Sequence, residues 1–179
     1  VWQDFKAGLR YVLGWPGLLI ISLMTIGINF TIIPAFSLLP LMVKEYFGGN
    51  ALHLSWVESA MGIGMIAGGA LLGVWGGFKR KILTSMAGLV GMGAGTLVLA
   101  LAPASAITLA VGGAFVFGLM NPITMGPFFA VIQSRVEPDM QARIFSLLSS
   151  VGAGMAPVGL MIAGPVSDRL GIQTWFFLG

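Results

Sequence analysis

Two asparagines stand inside long apolar stretches, and their carboxamide groups could form hydrogen bonds with a bound molecule. Asn29 is the fourteenth residue of the stretch 16–43, and Asn121 is the sixteenth residue of the stretch 106–133. At 1.5 Å per residue, both amides lie about 20 Å along a helix, close to the middle of a membrane span. Two interpretations stay open. The amides line a substrate cavity, or they join helices and satisfy carbonyl groups that nearby prolines leave unpaired.

Other side chains suited to binding a small molecule occur near these asparagines. Flexible methionines and flat aromatic rings accept varied apolar molecules. The predicted substrate-cavity residues are Asn29, Thr31, Phe36, Asn121, Thr124, Met125 and Phe128. Packing or lipid contact is the simpler interpretation for any single one of them.

Three prolines inside the same stretches each remove a helical hydrogen-bond donor. Pro34, Pro122 and Pro127 should therefore bend the first and fourth helices, either for gating or as a fixed kink needed for packing.

The titratable residues do not form a catalytic pattern. Glu58 is the only acid that could lie inside a span, and with Ser55 it also matches the Ser-x-x-Glu pattern of a capping box. We favour the cap over a proton carrier. The single histidine, His53, falls in a loop, and the chain has no cysteine. The sequence thus predicts no enzyme, no metal site and no cofactor.

The composition identifies the elements that must position these residues. Hydrophobic residues make up 57% of the chain and charged residues 8%, against about 25% charged in a soluble domain. Apolar stretches long enough to cross a bilayer must be helices, because lipid offers no partner to backbone groups. The predicted fold class is an all-α polytopic membrane protein, with helices at about 16–43, 55–76, 82–102, 106–133 and 140–166 and a cut-off sixth from 172. Residues 1–179 form one transmembrane half-domain, which we interpret as a piece of a longer protein.

The distribution of basic residues predicts the orientation. Seven lie on one side (Lys6, Arg10, Lys79, Arg80, Lys81, Arg135 and Arg143) and two on the other (Lys44 and Arg169). The positive-inside rule places the first group and the N-terminal end in the cytoplasm, in the inner (plasma) membrane. Because the basic residues are scattered among helix ends, nucleic acid is not an expected partner.

Residues about 91 positions apart suggest an internal repeat. Gly68 and Gly73 recur as Gly159 and Gly164. The residues Gly27, Asn29, Thr31, Pro34 and Phe36 are echoed by Gly118, Asn121, Thr124, Pro127 and Phe129. The predicted units, about 16–102 and 106–179, contain three helices each. Because three is odd, the second unit is inverted, an arrangement typical of secondary transporters.

On these residues the chain resembles the C-terminal half of a major facilitator superfamily transporter, from helix seven to the start of helix twelve. The superfamily's loop motif Gly-x-x-x-Asp-Arg-x-Gly is matched by Gly164, Asp168, Arg169 and Gly171, and a degenerate copy keeps Gly73, Lys79 and Arg80. The segments 4–11 and 137–143 are similar to the branch of bacterial exporters that includes macrolide-efflux and enterobactin-exporter proteins.

The resemblance implies a secondary transporter that exports a small amphipathic compound by alternating access. Its expected partners are the lipid bilayer, a small-molecule substrate and the missing N-terminal half. The alternative is a non-transporting membrane scaffold or receptor subunit, which would bury both asparagines in contacts within this half.

Overall fold

The chain forms a bundle of helices. A computed structural model describes residues 14, 16–136 and 138–178. Its helices are α1 (Pro16–Ser37), α2 (Ala51–Trp75), α3 (Lys81–Leu101), α4 (Ile107–Arg135), α5 (Pro138–Leu170) and α6 (Gln173–Leu178). A helical turn (Leu39–Leu41) and a π-helical segment (Met42–Tyr46) follow α1. The described residues contain no strand, so the all-α prediction is confirmed. Lys6, Arg10 and the segment 4–11 lie outside the described residues.

The lengths and compositions of the helices identify a multi-pass membrane protein. Among the described residues, four segments are long and apolar enough to cross a membrane: Ala51–Trp75, Lys81–Leu101, Ile107–Ser134 and Met140–Ser167. These correspond to four of the five predicted spans. The first predicted span corresponds to α1, whose 22 residues include no charged side chain.

Helix α4 contacts both α2 and α3 extensively. Helix α1 packs mainly against α5, and α6 contacts α3, α5 and α1. The larger buried cluster joins the residues after α1 to the start of α2, the end of α3 and the start of α4, through side chains such as Val43, Val57, Leu99 and Ala110. We call this the Lys44 end of the bundle. The opposite end, which carries the loop between α2 and α3, is the Lys79 end.

Glycines allow the closest of these helix contacts. A Cβ atom at Gly64 or Gly68 of α2 would collide with the α4 backbone, and one at Gly118 of α4 would collide with the Met61 carbonyl oxygen. Small residues at helix crossings are expected in lipid, because packing and not exclusion of water holds membrane helices together.

The start of α2 differs from the prediction. Helix α2 begins at Ala51, where Asn50 Oδ1 accepts the backbone N–H groups of Leu52 (3.0 Å) and His53 (3.2 Å). In return, the Asn50 N–H group donates to His53 Nδ1 at 3.3 Å. The capping box therefore consists of Asn50 and His53, and the predicted Ser55–Glu58 box is wrong. The Ser55 hydroxyl donates to the Leu52 carbonyl instead, at 2.8 Å.

Candidate functional site

The aromatic rings of Phe36 and Phe117 join α1 to α4. Their centroids lie 4.5 Å apart with the planes tilted by 44°. The two helices run in opposite directions, because the end of α1 and the start of α4 share the buried cluster at the Lys44 end. Asn29 precedes Phe36 by seven residues and Asn121 follows Phe117 by four. Both asparagines therefore lie on the Lys79 side of the ring contact, at depths of about 10 and 6 Å from it.

Asn121 is half-buried on the face of α4 that Phe117, Met125 and Phe128 share through helical spacing. Within the described part of the chain, its carboxamide makes no hydrogen bond. Gly88 of α3 contacts Thr124 of α4, and Gly68 of α2 contacts Leu119 and Pro122. Asn121 is not among the α4 residues in these two contacts. An amide in this position can bond to a molecule in the bundle.

Asn29 is half-buried between α1 and α5. Its Cγ atom lies 3.8 Å from the position that a Cβ atom would take at Gly152. The absence of a side chain at Gly152 therefore leaves room beside the Asn29 amide. Along the bundle axis, Asn29 and Asn121 lie within about 5 Å of each other.

Phe128 and Met125 continue this face toward the Lys79 end. Phe128 packs against a second buried cluster formed by Ile132, Val136, Ile144 and Leu147. Its ring lies 5.6 Å from that of Phe129, which in turn lies 5.6 Å from Phe145 of α5. Met125 is half-buried.

The two predicted threonines lie in helix contacts and not beside the asparagines. Thr124 is 8% exposed, and its hydroxyl donates to the Met120 carbonyl at 2.9 Å. The Thr124 carbonyl accepts the Ser85 hydroxyl of α3, also at 2.9 Å. The Thr31 hydroxyl donates to the Gly27 carbonyl at 3.3 Å. The Thr31 carbonyl accepts the indole N–H of Trp175, which ties α1 to α6 at 3.0 Å.

The helices continue through all three predicted prolines. Pro34 and Pro127 are buried and Pro122 is half-buried. Pro122 contacts Gly68 of α2, and Pro34 contacts Gly159 of α5. Pro34 and Pro122 therefore lie where one helix crosses another.

The degenerate loop motif forms a tight turn at the Lys79 end. Gly76 and Gly77 have φ angles of 74° and 77°, a region that favours glycine. The Phe78 N–H group donates to the Thr84 hydroxyl at 2.8 Å, and Thr84 is buried. Exposed side chains follow at Lys79, Arg80 and Lys81, and Gly73 is exposed on α2.

The complete loop motif lies at the Lys44 end. Gly171 has a φ angle of 88° and donates its N–H group to the Ser167 carbonyl at 3.0 Å, which explains why glycine is needed there. Arg169 is exposed, Gly164 is half-buried, and Asp168 belongs to the last turn of α5.

Sequence reasoning missed the cap of α2, and Asn50 was the signal that could have revealed it, because Asn is a favoured N-cap residue. It also missed the bonds that Ser85 and Trp175 make to α4 and α1, for which the sequence carries no local signal.

The chain is similar to known drug exporters. It is 32% identical to macrolide efflux protein A of Streptococcus pyogenes over 176 residues, which are 98% of this chain and 43% of that protein. The chain is a homologue of bacterial efflux transporters. Macrolide efflux protein A of Enterococcus faecalis is also 32% identical, over 88% of this chain and 48% of that protein. The multidrug efflux pump Tap of Mycolicibacterium fortuitum is 26% identical, over 94% of this chain and 41% of that pump.

These relatives confirm the predicted resemblance to macrolide-efflux proteins. The chain spans less than half the length of each of them. No family model matches the chain, and no solved structure gives a significant match.

Proposed function

We propose that the chain is one half of a secondary transporter of the major facilitator type, which exports a small amphipathic compound by alternating access. The rest of the protein supplies the other half, N-terminal to this one, and the cargo is moved without chemical change or cofactor. The observation that carries the proposal is the 32% identity to macrolide efflux protein A along 98% of the chain.

An inverted repeat of three plus three helices is part of the proposal. In such a repeat, α1 is equivalent to α4, and α2 is equivalent to α5. The α1–α5 contact should then have the α4–α2 contact as its equivalent, and both are among the major contacts of the bundle. The Gly159–Pro34 crossing has the same counterpart in the Gly68–Pro122 crossing. This equivalence supports units of about 16–102 and 106–179.

The binding face in this proposal contains Asn29 and Asn121 as hydrogen-bonding groups and Phe36, Met125 and Phe128 as apolar surface. Thr31 and Thr124 take part through helix packing, since their hydroxyl groups bond within their own helices. Pro34 and Pro122 allow the helices to bend where they cross α5 and α2.

The second half has a surface on which to pack. Helix α2 presents exposed or half-buried small residues at Ser55, Ser59, Gly62, Gly69 and Gly73. The positions 91 residues later on α5 are also exposed or half-buried: Ser146, Ser150, Ala153, Leu160 and Gly164. Helical spacing puts each set along one face, and the small residues, which are all but Leu160, allow another helix to approach closely.

The scaffold alternative expects both asparagines to be held in contacts within this half. Asn121 does not meet that expectation, because its amide is half-buried and makes no hydrogen bond in the described part of the chain. A binding role accounts for it better.

Drug accumulation in cells tests the proposal. In the full-length protein, Asn29→Ala and Asn121→Ala should each raise the steady-state drug content of expressing cells several-fold toward that of cells without the transporter. The matched control is Thr108→Ala, an exposed position on α4. Unchanged export by both asparagine variants at equal expression would contradict the proposed binding site. A wild-type protein that exports no drug would contradict the proposed function.

A further inference from the structure

Glu58 lies well inside a membrane-spanning helix. Because α2 begins at Ala51, Glu58 is its eighth residue and lies about 10 Å along the axis. The 25-residue helix is about 37 Å long, against about 30 Å for a hydrocarbon core. If the excess is shared between both ends, the Cα atom of Glu58 lies roughly 7 Å inside the core, and its side chain points back toward the start of α2. Glu58 is the only acid in α2.

The face of α2 that carries Glu58 borders open space. Leu54 and Ala51 precede it by one and two turns on that face. Both line a cavity of about 370 Å³ at the Lys44 end, together with Pro40, Val43, Lys44, Gly49 and Asn50. One turn further along, a Cβ atom at Gly62 would have no neighbour within 4 Å. A molecule can therefore reach the carboxyl group along this face, from the cavity or beside Gly62.

No group in the described part of the chain neutralises Glu58. Its side chain is exposed and makes neither an ion pair nor a hydrogen bond there. The titratable side chains nearest along the packed elements are Lys44, Glu45, Tyr46 and His53, all at or beyond the start of α2. His53 takes part in the Asn50 cap, and Tyr46 donates to the Ala102 carbonyl at 3.2 Å. The α4 segment that packs on α2, residues 110–126, contains no titratable residue.

A carboxylate at this depth is costly unless a positive charge accompanies it, and intramembrane acids of this kind mark sites where charge is bound or moved. We propose that Glu58 binds the positively charged group of the cargo, so that the transporter selects organic cations over neutral molecules of the same size. This inference rests on the proposed function and adds a charge preference to it. The nearby cavity holds the apolar part of such a cation, at the lower end of the volumes usual for small-molecule sites.

Binding of two probes of similar size to the purified full-length protein tests this. Tetraphenylphosphonium carries a permanent charge, and triphenylphosphine oxide is neutral. We expect Glu58→Gln to weaken tetraphenylphosphonium binding at least about tenfold, because a charge–charge attraction in a low-dielectric site is lost. Binding of the neutral probe should change less than about twofold. Glu58→Asp should restore most of the cation affinity, and Glu45→Gln, an exposed acid of the π-helical segment, should change neither.

An equal loss of affinity for both probes in Glu58→Gln would overturn the proposal. Loss of folding in both Glu58→Gln and Glu58→Asp would also overturn it, since it would indicate a structural pair with a basic residue elsewhere in the protein.

The two proposals fail in different ways. If the wild-type protein transports both probes and Glu58→Gln transports them equally well, Glu58 does not bind the cargo, but the proposal of a transporter stands. If the wild-type protein transports neither probe nor any drug, both proposals are wrong.

Discussion

The ring of Pro122 packs directly on Gly68, with its Cγ atom 2.9 Å from the position that a Cβ atom would take there. The Leu119 carbonyl oxygen is closer still to the same position. Gly159 stands in the same relation to α1, where it contacts the Pro34 ring and lies against the Phe30 carbonyl oxygen. Pro34 has no N–H group, so that carbonyl lacks its helical donor.

A side chain at Gly68 should therefore force α2 and α4 apart. We expect Gly68→Ala to destabilise the protein by about 1–3 kcal/mol, the usual cost of overpacking a close contact. The neighbouring Gly69 has nothing within 4 Å of its Cβ position. Gly69→Ala should change stability by less than about 1 kcal/mol, in the stabilising direction, because alanine favours a helix. Thermal unfolding of the two variants in the same detergent measures the difference, and equal midpoints would contradict the crossing.

The spans were predictable because lipid leaves an apolar stretch little choice but a helix. The ends of α3 were predicted within one residue, since Lys81 and Pro103 mark them. The start of α2 was missed by four residues. The Ser55–Glu58 pattern matched a capping box by residue type, whereas the structure places the cap at Asn50, where the chain turns into the helix.

The binding face was only partly predictable. Successive residues of a helix point about 100° apart, so a sequence places Asn121 and Thr124 at one depth without saying which face each occupies. The structure turns the Thr124 side chain toward α3, where its hydroxyl donates to Met92 Sδ at 3.3 Å. The match in residue types between α1 and α4 likewise does not show which residues occupy equivalent positions in the packed helices. By residue type Pro34 matches Pro127, but by packing on an equivalent glycine its counterpart is Pro122, one to two turns away.

The turn between α2 and α3 should depend on Thr84. Its hydroxyl accepts the Phe78 N–H group at 2.8 Å and lies 2.8 Å from the Cβ position of Gly77. Thr84→Val keeps the shape and removes the acceptor, so we expect a loss of about 1 kcal/mol in thermal stability. Thr84→Ser keeps the hydroxyl and should lose clearly less. Hydrogen exchange at the Phe78 amide should accelerate in the valine variant alone, and equal exchange in both variants would show that the bond does not hold the turn.

The proposed orientation can be measured with introduced cysteines, since this part of the protein has none of its own. Lys79, Arg80 and Lys81 are exposed at one end of the bundle, and Ser105 is exposed in the loop between α3 and α4 at the other. Basic residues next to spans are retained in the cytoplasm. In intact cells, a membrane-impermeant maleimide should therefore label Ser105→Cys and leave Lys79→Cys unlabelled until the membrane is permeabilised. Labelling of Lys79→Cys before Ser105→Cys would show that the bundle has the opposite orientation in the membrane. It would also place the cavity at the Lys44 end on the cytoplasmic side.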